Sequence, residues 1–161
     1  MTGCSKLAQS KYLTRHYAAL KILYFEVLKD LDFLTSLPPW YPQEEPKPLY
    51  ESNKGKTYWD VQVYAESTEV RNNRIDAKII DKEKKKVYLQ EMSYPWITNR
   101  EAKDAENTTK YAPLRFELKQ QYPGYEIEQH NIVIDVMGGC STGSRKSMRE
   151  LVGEKKKLKL I

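Results

Sequence analysis

Apolar residues recur along residues 10–34, "SKYLTRHYAALKILYFEVLKDLDFL", at Leu13, Tyr17, Leu20, Tyr24, Val27 and Leu31. Spacings that alternate between four and three place these six on one face of a helix. Ser10 is the expected N-cap. The period then changes. "YWDVQVY" (58–64), "RIDAKIID" (74–81) and "KKVYLQEMS" (85–93) read as three strands. The charged turn around Lys82–Lys85 is short enough to join the last two as a hairpin. Residues 98–122 return to a helical period. "TNRE" matches a capping box at their start, Pro113 kinks or restarts the helix, and "PG" at 123–124 ends it. "YEIEQHNIVIDV" (125–136) is a fourth strand, and a short helix follows at about 144–151. The order α-β-β-β-α-β-α predicts an α/β fold with a mixed central sheet flanked by helices.

Between the first helix and the first strand, residues 36–57 hold five of the eight prolines and read as a long extended connection. One helix cannot form a domain, so the 161 residues are read as one: helix 10–34, connection 36–57, sheet and helix core 58–153, and a basic tail 154–161.

Composition adds a partner class. Lys and Arg number 27 against 22 Asp and Glu, a net charge of +5, which favours an anionic partner and nucleic acid above all. There is no apolar run of about 18 residues and no signal-peptide core, so no membrane association is expected. Cys4 and Cys140 form neither a disulfide framework nor a Cys-x-x-Cys metal box.

The hairpin carries the candidate chemistry. If Asp81 pairs with Lys86, Asp76 faces Glu91 directly, and two carboxylates that close are suited to a divalent cation. If the register shifts by one residue, the two acids point to opposite faces and are unrelated, unless a bulge near Asp76 intervenes. On the following helix, Arg100, Lys103, Asn107 and Lys110 form one polar stripe that faces either this site or solvent. Arg15 and His16 read as helix-surface or partly buried positions, or as a ligand or DNA contact. Glu26, Asp60 and Glu66 are either accessory acids of such a site or unrelated acids. Trp40, Tyr41 and Trp96 either stack on bases or cover the core edge.

Together, "RIDAKIIDKEKKKVYLQEMSYPW" and the following "NREAKDAENTTKYAPLRFELKQQYPGYEIEQHNIVIDVMGG" resemble the restriction-like endonuclease domain near the C-terminus of non-LTR retrotransposon polyproteins, a branch of the PD-(D/E)XK superfamily. The resemblance extends upstream to "YLTRHYAALKILYFEVLKDL", which is similar to the Arg-His segment that follows a zinc knuckle in those elements. It implies an αβββαβ restriction-endonuclease-like core and a metal-dependent DNA endonuclease that nicks target DNA to prime reverse transcription. It further implies Mg²⁺ or Mn²⁺ on Asp76 and Glu91, with Lys110 or Lys103 as the cationic partner. Arg100, Asn107, Arg15 and Tyr111 become nucleic-acid contacts. DNA and the reverse transcriptase of the same polyprotein become the partners, and the nucleus the location. Lys110 and Tyr111 match the family's "KY". Ser93 stands where the superfamily lysine usually follows the second acid, and in the retroelement branch that lysine is displaced onto the following helix. Three departures stand out: Ile75 replaces the motif proline, Asn107 stands where the helix lysine is expected, and the zinc knuckle is missing. Cys4 matches the last knuckle ligand without the other three, so no zinc site is expected. A nucleic-acid-binding module of the same fold, weakened or inactive in cleavage, is the alternative that Ser93 and Asn107 leave open.

Overall fold

The computed structural model describes residues 3–34 and 45–152, with the side chains of the first helix described at Lys11, Thr14 and from His16 onward. Trp40, Tyr41 and the tail 154–161 lie outside the described residues. Helix α1 spans Gly3–Asp30, so Ser10 is interior to it rather than its cap. Five strands follow in one sheet: β1 Leu49–Glu51, β2 Gly55–Trp59, β3 Ala77–Asp81, β4 Lys86–Ser93 and β5 Glu126–Val133, side by side in chain order. Neighbours are antiparallel except β4 and β5, which are parallel. The connection between that parallel pair is a 3-10 turn, Ile97–Asn99, and two helices, α2 Arg100–Lys110 and α3 Ala112–Gln121. Helix α4, Thr142–Val152, closes the described chain. The mixed α/β sheet flanked by helices is therefore as the hydrophobic pattern implies.

Each face of the sheet has its own core. On one, α1 (Leu20, Leu23, Tyr24, Val27, Leu28) packs on Trp59, Ile79, Tyr88, Met92 and Ile132, with Met148 and Leu151 of α4 at its edge. On the other, Leu114 and Leu118 of α3 pack with Tyr111 on Ile80, Val87, Leu89 and Ile127. With both faces covered, every residue of β3 is buried. Along α1 and into the turn that follows it, the spacing of Leu20, Tyr24, Val27 and Leu31 does mark the buried side.

The expected boundaries shift in four places, each for a local reason. The strand foreseen at 58–64 stops at Trp59, because Asp60 takes the left-handed conformation (φ 45°) that Asp tolerates better than most residues. Beyond it only a single bridge, Gln62 to Arg74, continues the pairing. Short β1 forms inside the proline-rich connection, where its three residues pair with β2 at the sheet edge. The capping box does not form. Thr98 lies in the 3-10 turn, and α2 starts at Arg100 behind Asn99, whose side chain makes no capping bond. Finally, the helix of 98–122 is two helices. Pro113 sits in the first turn of α3, where its missing N–H costs nothing, and the break falls at Tyr111.

Candidate active site

The hairpin register decides where the two acids lie. Asp81 pairs with Lys86, Ile79 with Tyr88 and Ala77 with Gln90, so the next step along the pairing sets Asp76 against Glu91. β3 has ended by then. Where the ladder stops, the Asp76 carboxylate itself accepts the Met92 N–H at 2.7 Å through Oδ2. Its other oxygen, Oδ1, lies 3.3 Å from His16 Nε2, brought in from α1. The Asp76 carbonyl accepts the Asp60 N–H at 2.8 Å. Asp76 is thus tied to three separate segments of the chain.

Glu91 is supplied by β4 and faces the α2–α3 break. Lys110, the last residue of α2, places Nζ 3.6 Å from Glu91 Oε1 and 4.6 Å from the centre of the Tyr111 ring. The Tyr111 hydroxyl donates to the Arg74 carbonyl at 3.0 Å. Asp76, Glu91, Lys110 and Tyr111 line a cleft of about 400 Å³, together with Asp60, Ile75 and the segment Arg71–Arg74.

Charge in this cleft is unevenly compensated. Burial, then the adjacent Asp76 carboxylate, push the Glu91 pKa up to about 7, against the pull of Lys110, the Tyr111 hydroxyl and His16. Burial pushes the Tyr111 hydroxyl up as well, helped by Glu91 and Asp76, so it stays a protonated donor. For His16, burial favours the neutral ring. The hydrogen bond to Asp76 and the charges of Asp76, Glu91 and Asp60 outweigh it and raise the pKa.

The polar stripe of α2 does not converge on this cleft. Arg100 reaches Asp135, past the end of β5, at 3.5 Å. Lys103 bonds Glu106 at 2.7 Å on an exposed turn, about 10 Å along the axis from Lys110. Asn107 is buried at 1% exposure and donates to Ser93 Oγ at 2.9 Å. Only Lys110 of the four lines the cleft. The shared stripe is real, but α2 lies against the sheet, so its positions meet different neighbours from one turn to the next.

Of the other acids, Asp60 lines the cleft, paired with Arg74. Glu26 on α1 is half-buried, and Glu66 is exposed; neither lines it. Arg15 lies on α1, its side chain outside the described residues, and Trp96 stands 71% exposed beyond β4. Sequence reading missed the His16–Asp76 link, which spans 60 residues and leaves no local signal.

It also missed a second cluster. Glu128 and His130 of β5 and Glu150 of α4 each offer a ligand atom within 4.8 Å of the others, and could hold a metal ion. His130 Nε2 is 3.2 Å from Glu128, and Nδ1 is 3.7 Å from Glu150. Burial lowers the His130 pKa despite both acids. Lys86 pairs with Glu128 and Lys146 with Glu150, so these carboxylates already have cations. The i, i+2 pair in "EIEQH" was the available signal for two of the three. No helix among the described residues is long and apolar enough to cross a membrane. Comparison with family models, with curated proteins and with solved structures finds no match to this chain.

Proposed function

We propose that this chain is a metal-dependent DNA endonuclease domain that hydrolyses a phosphodiester bond to leave a nick from which reverse transcription is primed. The observation that carries the reading is the hairpin register, which sets Asp76 against Glu91 in a cleft that Lys110 also lines. The donor set fits Mg²⁺ or Mn²⁺: two carboxylates offer hard oxygen ligands, and burial, then the Asp76 charge, raise the pKa of Glu91, a penalty on its charged form that a bound cation would offset. Asp76 and Glu91 would hold the ion, which when bound lowers the pKa of water and neutralises charge on a phosphoryl oxygen.

The surrounding residues have distinct work. Met92 N–H and His16 fix the Asp76 carboxylate on both oxygens, so its orientation is set before substrate arrives. Lys110 is the cation beside Glu91, positioned to stabilise negative charge that develops on the phosphate. The buried Asn107–Ser93 bond pins α2 to β4 one turn before Lys110. The retrotransposon context, a reverse transcriptase partner on the same polyprotein and a nuclear location come with the sequence resemblance and belong to the same proposal.

A second reading keeps the fold and drops the cleavage. It is favoured by Ser93 and Asn107, which bond to each other and offer the cleft no cation. Supercoiled plasmid with Mg²⁺ or Mn²⁺ separates the two. The wild-type domain is expected to nick it only with metal, and Asp76→Asn to abolish nicking. Nicking that survives Asp76→Asn defeats the site. Salt-sensitive binding with no nicking by the wild type selects the second reading.

A further inference from the structure

One wall of the cleft is the segment Arg71–Arg74, which leads into β3. It is anchored from several sides. Val70 packs against the α3-side core. The Val63 N–H donates to the Asn73 carbonyl at 2.7 Å, and Gln62 Nε2 donates to Asn73 Oδ1 at 3.1 Å. The Tyr111 hydroxyl holds the Arg74 carbonyl. The Arg74 guanidinium is held in turn by Asp60, Nε to Oδ1 at 3.0 Å and Nη2 to Oδ2 at 3.1 Å.

The charges along this wall do not all cancel locally. Asp60, Asp76 and Glu91 line the cleft with Arg71, Arg74 and Lys110, three against three. Asp60 takes Arg74, Glu91 takes Lys110, and Asp76 takes His16. Arg71 is exposed, and its side chain has no ion pair or hydrogen bond among the described residues. A phosphodiester entering a cleft with two carboxylates at its base meets repulsion unless a cation stands at the rim. A guanidinium on an anchored segment meets that need, since its planar fork matches phosphate oxygens.

We propose that Arg71, carried on the anchored 71–74 rim, grips a backbone phosphate of the nucleic-acid strand that enters the cleft. The strand is thereby held by its charge and not by its bases. The ligand class rests on the nuclease reading above.

The test is binding, in chelator so that nothing is cut. Labelled duplexes of two unrelated sequences are titrated with the full chain by fluorescence anisotropy, from about 50 to about 200 mM salt. Arg71→Ala is expected to reduce the slope of log K against log salt by about 0.9 for both sequences. That is about a 3.5-fold change in salt sensitivity over this range. Arg71→Lys is expected to restore the slope. Lys119→Ala, on the exposed side of α3, makes the same charge change and is expected to leave it alone. An Arg71→Ala slope equal to wild type, or one that falls no more than Lys119→Ala, overturns the proposal. So does a loss that Arg71→Lys fails to repair. A wild type that nicks and binds while Arg71→Ala is silent removes this inference only; a wild type that binds neither duplex removes the nuclease reading with it.

Discussion

Replacing Glu91 by Gln in the metal-free protein tests the electrostatics of the cleft without any assumption about catalysis. Glu91 is held up to about 7, against an ordinary 4.5, chiefly by burial and then by Asp76. Its side chain is only 13% exposed, so solvent screening is weak. Because the folded pKa lies above the unfolded one, the folded state holds an extra proton between those two values. The group's contribution to stability is full below about pH 4.5 and is lost as pH rises through about 7. The whole rise is worth about 3 kcal/mol as an upper bound. Gln is neutral throughout and keeps the shape, so Glu91→Gln is expected to match wild type near pH 4.5 and to exceed its stability by up to about 3 kcal/mol at pH 8. For a chain of this size that is a melting-temperature gain of about 6–12 °C. Denaturant or thermal unfolding in chelator, at matched pH values, gives the difference curve. Subtracting the two proteins removes the titration of groups that behave alike in both. His16, Asp76, Lys110 and Tyr111 face Glu91 and supply the residual error. A difference that is flat with pH, or a variant less stable than wild type at pH 8, refutes the reasoning.

Two further outcomes follow from the same geometry. Lys110→Ala is expected to slow plasmid nicking roughly 100- to 1,000-fold, the usual loss for one charge-stabilising donor, while Lys103→Ala leaves it unchanged; equal effects would undo the distinction drawn from their positions. Gln90 is fully buried on β4, and neither of its side-chain polar atoms has a hydrogen-bond partner among the described residues, so Gln90→Leu is expected to stabilise the fold by about 1–3 kcal/mol in urea unfolding.

Much of the sheet was legible because loop length and turn chemistry are local. The Lys82–Lys85 turn fixes the hairpin, with Lys85 in the left-handed conformation and Asp81 Oδ1 accepting the Lys84 N–H at 2.9 Å. Hydrophobic alternation could not choose the register. Helices cover both faces, all five residues of β3 are buried, and an apolar residue is acceptable on either side. The end of β2 was illegible for another reason. "YWDVQVY" alternates well, and only the backbone conformation of Asp60 shows that the chain leaves the sheet there. His16 and Asp76 meet through tertiary packing of α1, which no window of sequence contains.

The α2 stripe shows what periodicity can and cannot say about a site. Spacings of three and four put Arg100, Lys103, Asn107 and Lys110 on a common side; they do not say how deeply each turn is buried. Along the chain, Ser93 and Asn107 are the two positions where the resemblance would place a lysine. In the fold they are partners, 2.9 Å apart, at 4% and 1% exposure. A lysine at 107 would have to carry its charge into that buried position, at a desolvation cost offset only by a close carboxylate. Asn107 brings no charge: its Nδ2 donates to Ser93, while its Oδ1 is buried with no hydrogen-bond partner among the described residues. A cation for Glu91 must then come from where the helix rises back toward solvent, and the first such residue is Lys110, one turn on, with its side chain 35% exposed and 3.6 Å from the acid. The helix break at Tyr111 falls immediately after it, so the residue that ends α2 also lines the cleft. Ser93, Asn107 and Lys110 are therefore one structural arrangement, and the nicking contrast between Lys110→Ala and Lys103→Ala decides whether that arrangement is catalytic.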